Sequence, residues 1–171
     1  MNIEIRRAQP SEAEILTTIA HAAKRHWNYP EEWIAQWKLD LTITPEFIRE
    51  NEVFVALIDE QIAGCCALVL ADSRAEIEHM WLRPEYMGSG MGRALFEHAK
   101  RRAEERGARV LELSADPNAE GFYARMGAER IGEITAGMRG QHDRVLPRMR
   151  INLHSQLSSV LSKSKDQSSK I

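Results

Sequence analysis

Three glycines at alternate positions, Gly88, Gly90 and Gly92, stand between a β-rich run at 75–82 and a strongly helical run at 93–106. Few fold classes accommodate that arrangement. Glycine tolerates positive φ and lets backbone amides approach a ligand without an intervening Cβ. At a helix start, such a turn aims the helix dipole, about half a positive charge, at whatever lies in front of it. A pyrophosphate is the natural occupant, although the spacing alone also suits a plain flexible turn. Two other phosphate loops do not match. A Walker loop ends Gly-Lys-Ser/Thr, and here Gly92 is followed by Arg93-Ala94. The dinucleotide fingerprint puts its third glycine three places after the second, in an early βαβ unit. Here it comes after two, in mid-chain, behind a hairpin meander.

The 171 residues carry 23 Lys+Arg against 25 Asp+Glu, a formal net charge of −2. That length suits one domain with a real core and a cleft. The lack of basic excess argues against nucleic acid as a partner. Cys65 and Cys66 are adjacent inside an apolar run, so they read as small buried strand residues and not as a disulfide. The six histidines lack metal-ligand spacing, and no metal is expected. The apolar run at 62–71 is too short to span a bilayer, and the N-terminus has no signal-peptide segment. A cytoplasmic protein with no membrane partner is the expectation.

Periodicity orders the rest. Residues 3–8 alternate as a first strand; Ser11 and Glu14 suggest a capping box for a helix reaching His26. Pro30 opens a short helix carrying Trp33 and Trp37, and Thr44-Pro45 caps another. Runs at 53–58 and 62–71, joined by Asp59-Glu60-Gln61, predict a hairpin. After the glycine loop and its helix, Gly107 is a stop signal. Then come a strand at 110–113, a helix at 118–126, and strands at 128–134 and 145–153. The last 18 residues hold seven serines and predict a flexible tail, 154–171.

The segment Pro84-Glu85-Tyr86-Met87-Gly88-Ser89-Gly90-Met91-Gly92-Arg93 resembles the acyl-CoA loop of the GNAT superfamily of N-acetyltransferases. A second block, Ser114 to Ala128, is similar to that family's Asn-Ala-x-x-Phe-Tyr segment, with Asn118, Phe122 and Tyr123 in place. The resemblance covers residues 1–153 and implies an α+β, three-layer α/β/α fold with a mixed, mainly antiparallel sheet. It implies acetyl-CoA as co-substrate, held by Trp81, Leu82, Met87, Gly88, Ser89, Gly90, Met91, Gly92, Arg93, Asn118 and Phe122. Met87 departs from the usual Arg or Gln, which removes one polar anchor and leaves Arg93 as the nearest cation.

Transfer of an acetyl group to an amine requires a neutral amine, and deprotonating an alkylammonium at pH 7 costs roughly 4 kcal/mol. The resemblance places a carboxylate base on the strand before the loop. Glu78 is preferred, with His79 as the second choice and Glu76 also open; a regular strand puts the two Glu on one face and His79 on the other, whereas a bulge would exchange them. Tyr123 is the expected proton donor to the leaving thiolate. A backbone N–H at Trp81 or Leu82 is expected to meet the oxyanion. Trp27 and Tyr29 are acceptor-pocket candidates, Trp33 and Trp37 core, and Arg144 a weak polar wall. Such an aromatic site suits a small amine of apolar or cationic character. A protein or peptide amine, or a non-catalytic acyl-CoA sensor, are the alternatives; a homodimer is compatible with the fold.

Overall fold

A computed structural model describes residues 3–136 and 144–153. The serine-rich segment 154–171 lies outside the described residues. Among the described residues seven strands form one sheet in the order β1-β2-β3-β4-β5-β7-β6. They are β1 Glu4–Arg7, β2 Glu52–Ile58, β3 Gln61–Ala71, β4 Arg74–Leu82, β5 Val110–Ser114, β6 Glu129–Ala136 and β7 Arg144–Asn152. All neighbours are antiparallel except β4 and β5. The mixed, mainly antiparallel sheet of the sequence reading is therefore the observed one.

Among the described residues six α-helices flank it: α1 Ala13–His26, α2 Glu31–Gln36, α3 Lys38–Leu41, α4 Pro45–Glu50, α5 Met91–Glu105 and α6 Glu120–Arg125. Strand alternation separates two cores. On β2, Phe54, Ala56 and Ile58 pack with Met91, Leu95, Phe96 and Ala99 of α5. Val53, Val55 and Leu57 face the other way, against Leu16 and Ile19 of α1 and Ile48 of α4. Because both faces of β2 and β3 are covered, those strands read as continuous apolar runs. Cys65 and Cys66 are fully buried there, and burial holds both thiols protonated, Cys65 at about 12. No described helix is long and apolar enough to cross a membrane.

Local signals behaved as their chemistry dictates, with shifts at the ends. Thr44 Oγ1 accepts from the Phe47 amide at 3.1 Å, the expected cap on a proline-led helix. Gly107 takes φ +84°, and the Gly107 and Ala108 amides close onto the Glu104 and Ala103 carbonyls, a Schellman stop. The N-terminal capping box is not Ser11/Glu14. A 3₁₀ turn starts at Pro10, so the cap lies two residues earlier at Gln9, and Glu12 Oε2 accepts the Gln9 amide at 2.7 Å. The helix carrying Trp33 breaks at Trp37, which sits between α2 and α3.

Candidate active site

β4 and β5 pair in parallel only from Arg74↔Val110 to Ile77↔Leu113. Beyond Ile77, β4 continues for five residues with no β5 partner, and the sheet opens into a gap. The separation begins at a bulge: His79 pairs with Ala67 and Ile77 with Leu68, leaving Glu78 without a partner on β3. The extra residue changes the strand's phase. Ala75 and Ile77 face the α5 side, and after the bulge so do Met80 and Leu82. Trp81 turns to the α1 side, and His79, two residues before it, bonds to it. The regular-strand expectation, with His79 opposite the side of Glu76, is therefore corrected by the bulge.

The same phase decides which amides are free. The Arg83 amide donates to Ala63 O at 2.8 Å, and in an antiparallel ladder bonded and non-bonded pairs alternate. Trp81 is then turned into the β3 ladder, while the backbone of Met80 and Leu82 faces the gap. Of the two amides expected to meet an oxyanion, Leu82's is the one pointing there.

The glycine loop closes the far end of the gap. Gly88 and Gly90 hold φ +78° and +90°, and a Cβ on either would meet nothing within 4 Å. Their requirement is conformational, with open space in front of them. Gly92 differs: its Cβ would touch Leu82 at 3.3 Å and Phe122 at 3.4 Å, so its smallness lets α5 sit against the β4 end. Ser89 braces the turn by donating to Tyr86 O at 2.6 Å. The first-turn amides of α5 lack intrahelical acceptors and point outward with the dipole. Met87 is half-buried and Arg93 exposed. An anionic phosphate group fits this cradle.

Three titratable side chains on β4 now separate. Glu76 is held by Arg148 through two bonds, at 2.5 and 3.0 Å. His79 is buried, and burial lowers its pKa to about 4. Its Nδ1 accepts from Trp81 Nε1 at 3.1 Å, so the neutral ring carries its proton on Nε2. Glu78 is exposed at the bulge, and its carboxyl is raised above the usual range by partial desolvation, then by Glu76 and Asp40, with Arg148 opposing. Tyr123 of α6 packs between Phe96 and Phe122, with ring centroids at 5.8 and 5.1 Å. Burial, then Cys66 and Asp116, raise its phenol well above the usual value.

On the α1 side of the gap lies a cluster that the sequence reading largely missed. Asp116, just past β5, accepts from Lys24 Nζ at 2.6 Å, Arg144 Nη2 at 2.7 Å, Tyr29 Oη at 3.0 Å and the Asn118 amide at 3.0 Å. Asn118 Nδ2 donates both to Asp116 and to Tyr29 Oη, at 3.0 Å each. Lys24 lies 5.4, 5.1 and 5.4 Å from the ring centres of Tyr29, Trp37 and Trp81. Arg144 lies 4.8 and 4.5 Å from Tyr29 and Trp37. Of the two acceptor-pocket candidates, Tyr29 is thus covered by the protein's own cations. Trp37 is buried as expected of a core residue, Trp33 stacks on Tyr29, and Trp27 packs edge-on against His26. Arg144 had been a weak candidate and Lys24 none, because a lone lysine in a helix pattern reads as a solvated residue.

Residues 14–128 match the acetyltransferase (GNAT) family model. The chain belongs to the GNAT acetyltransferase family. A GCN5-related N-acetyltransferase from Rhodopseudomonas palustris is similar in structure, with TM-score 0.76 at 19% identity, covering 90% of this chain and 97% of that one. The PaiA N-acetyltransferase of Thermoplasma acidophilum, solved with coenzyme A, has TM-score 0.69 at 22% identity, covering 89% and 99%. A Bacillus subtilis (strain 168) protein assigned as a ribosomal-protein-bS18-alanine N-acetyltransferase is 31% identical over 74 residues, 42% of this chain and 49% of that one. The matches to the curated relatives span about half the length of those proteins. This GNAT chain therefore shares the fold of its solved neighbours; of the two sequence blocks singled out, 84–93 leads from the end of β4 into α5, and 114–128 runs from the end of β5 through α6. The bulge and the strand separation carry no sequence signal, since both depend on how β3 and β5 pair.

Proposed function

We propose that this GNAT protein is an acetyl-CoA-dependent N-acetyltransferase that acts on the primary amine of a small molecule. The observation that carries the reading is the gap between β4 and β5. It has a glycine loop at one end, outward-facing β4 amides along one edge and Glu78 at the bulge where it opens, while Tyr123 packs between Phe96 and Phe122. An extended acyl-pantetheine arm fits beside β4 as a missing strand would, bonding to its backbone. The residues that would hold the cofactor are Gly88 to Arg93, for its phosphates, and Met80, Leu82, Gly92 and Phe122 along the arm. Asn118 is occupied by Asp116 and Tyr29 in its described position, so it would reach the arm only by exchanging those bonds. When bound, acetyl-CoA supplies an activated acyl carbon.

The chain's own groups then divide the proton work. Glu78 takes the proton from the acceptor ammonium, directly or through water, because it is exposed and its raised pKa brings it toward the operating range. Glu76 is paired with Arg148, and His79 has its Nδ1 lone pair engaged. The Leu82 amide, aimed at the gap, offsets developing negative charge. Tyr123 Oη, kept protonated by burial, holds the proton that a departing thiolate requires.

Thiol release from acetyl-CoA, measured with a panel of small amines and an N-terminal peptide, tests the reading. Amine-dependent release is expected with small amines, and Tyr123→Phe is expected to lower kcat about tenfold or more with acetyl-CoA affinity unchanged. Tight coenzyme A binding without release on any amine or peptide would overturn it in favour of a sensor. Release on the peptide alone would move the acceptor to the protein class.

A further inference from the structure

The charge arrangement on the acceptor side of the gap is unequal at its two ends. At the Asp116 end, two cations, Lys24 and Arg144, meet one carboxylate among the described residues. All three are largely buried, with side-chain exposures of 7%, 12% and 10%. Asp116 has no capacity left. Its Oδ2 takes Lys24 and Arg144, and its Oδ1 takes Tyr29 and both donors of Asn118. The cations do have capacity. Arg144 makes its bonds to Asp116 and Tyr29 through Nη2 alone, so the rest of its fork has no acceptor among the described residues. Lys24 commits one of three N–H groups.

At the other end the balance reverses. Glu78 stands exposed at the β4 bulge, two residues from Glu76, whose charge Arg148 offsets. Glu78 and Trp81, the indole over which Lys24 lies, are three residues apart on β4, about 10 Å along a strand. A buried, unbalanced cation beside a cleft whose far end is acidic attracts an anion and repels a second cation.

We propose that the acceptor is a bipolar amine. Its ammonium docks toward Glu78, and an anionic group, a carboxylate, docks on the unused donors of Arg144 and Lys24. The idea rests on the acetyltransferase reading above and narrows it. Polycationic acceptors are disfavoured, because Tyr29 and Trp81, the rings at this end of the gap, are already covered by Arg144 and Lys24. In this arrangement Arg144 is a specificity-determining residue; Asp116, Tyr29 and Asn118 position it.

The test compares matched pairs in the thiol-release assay: amino acids with free carboxylates against the same compounds as carboxamides, with polyamines as a third group. The free acids are expected to exceed their amides in kcat/KM by about tenfold or more, the size of one charge-assisted hydrogen bond. Arg144→Gln is expected to raise KM for the acid more than for the amide, so that the preference for the acid falls toward one while kcat for the acid changes little. Arg144→Lys is expected to keep part of the preference. Amides or polyamines used as well as the acids by the native chain would overturn the proposal, and that comparison needs no variant to fold. An Arg144→Gln variant that loses acid and amide activity equally would overturn Arg144's role. No release with any amine at all, despite coenzyme A binding, would instead remove the acetyltransferase reading, and the proposal with it.

Discussion

Glu78 shows how a single position acquires chemistry from its surroundings. As a residue in an alternating strand it is indistinguishable from Glu76. The bulge leaves it unpaired, while Glu76 falls under Arg148 and becomes structural. Desolvation and the neighbouring Glu76 and Asp40 carboxylates favour its neutral form. A base must be deprotonated to act, so kcat/KM is expected to rise with pH through Glu78's pKa, above the ordinary carboxylate range. Glu78→Gln is expected to lower kcat by about 10²–10⁴-fold and to remove that acid limb. A Gln variant with the native rate and profile would show that the proton leaves by another route. The residue was legible in the sequence as a candidate; its separation from Glu76 and His79 was not, because a bulge depends on the partner strand.

At the scale of elements, the two-residue turn between β2 and β3 is the clearest departure from local preference. Ile58 pairs with Gln61, and Asp59 and Glu60 both take the left-handed conformation, φ 47° and 64°. Such turns favour Asn-Gly or Asp-Gly, since a Cβ at positive φ is strained. The hairpin forms regardless because β2 and β3 are buried on both faces. Glu60→Gly is therefore expected to stabilise the chain by about 0.5–1 kcal/mol, despite glycine's larger unfolded-state entropy. In a domain of this size that raises Tm by about 1–4 °C; a thermal melt with no rise would show that the strain is relieved elsewhere. The loop before α5 makes the opposite case. Its glycines were legible as conformational devices, and Gly88 and Gly90 serve as such, whereas Gly92's packing on Leu82 and Phe122 depends on elements distant in sequence.

The whole molecule is tied across its two halves by two buried carboxylates. Burial raises the pKa of each, but donors outweigh it: Arg150, Arg74 and Arg148 hold Glu112 at about 2, and Lys24, the Asn118 amide and Arg144 hold Asp116 at about 2. A depressed folded-state pKa contributes stability that is complete above the unfolded value, near 4, and is lost as pH falls toward 2. Acid denaturation is expected to steepen across that window, and Asp116→Asn to flatten it while lowering Tm at neutral pH. An unchanged acid limb in the variant would assign the transition to other groups. Glu112 and Asp116 lie far in sequence from most of their partners, so no local pattern could mark them. Local chemistry was enough for most elements and their order, since caps, alternation and glycine turns act over a few residues, and the resemblance of two short blocks, 84–93 and 114–128, was enough for the family. The gap between β4 and β5, the phase of the bulge and the cations seated on the aromatic rings arise only where distant segments meet, because pairing register and burial are properties of the packed chain.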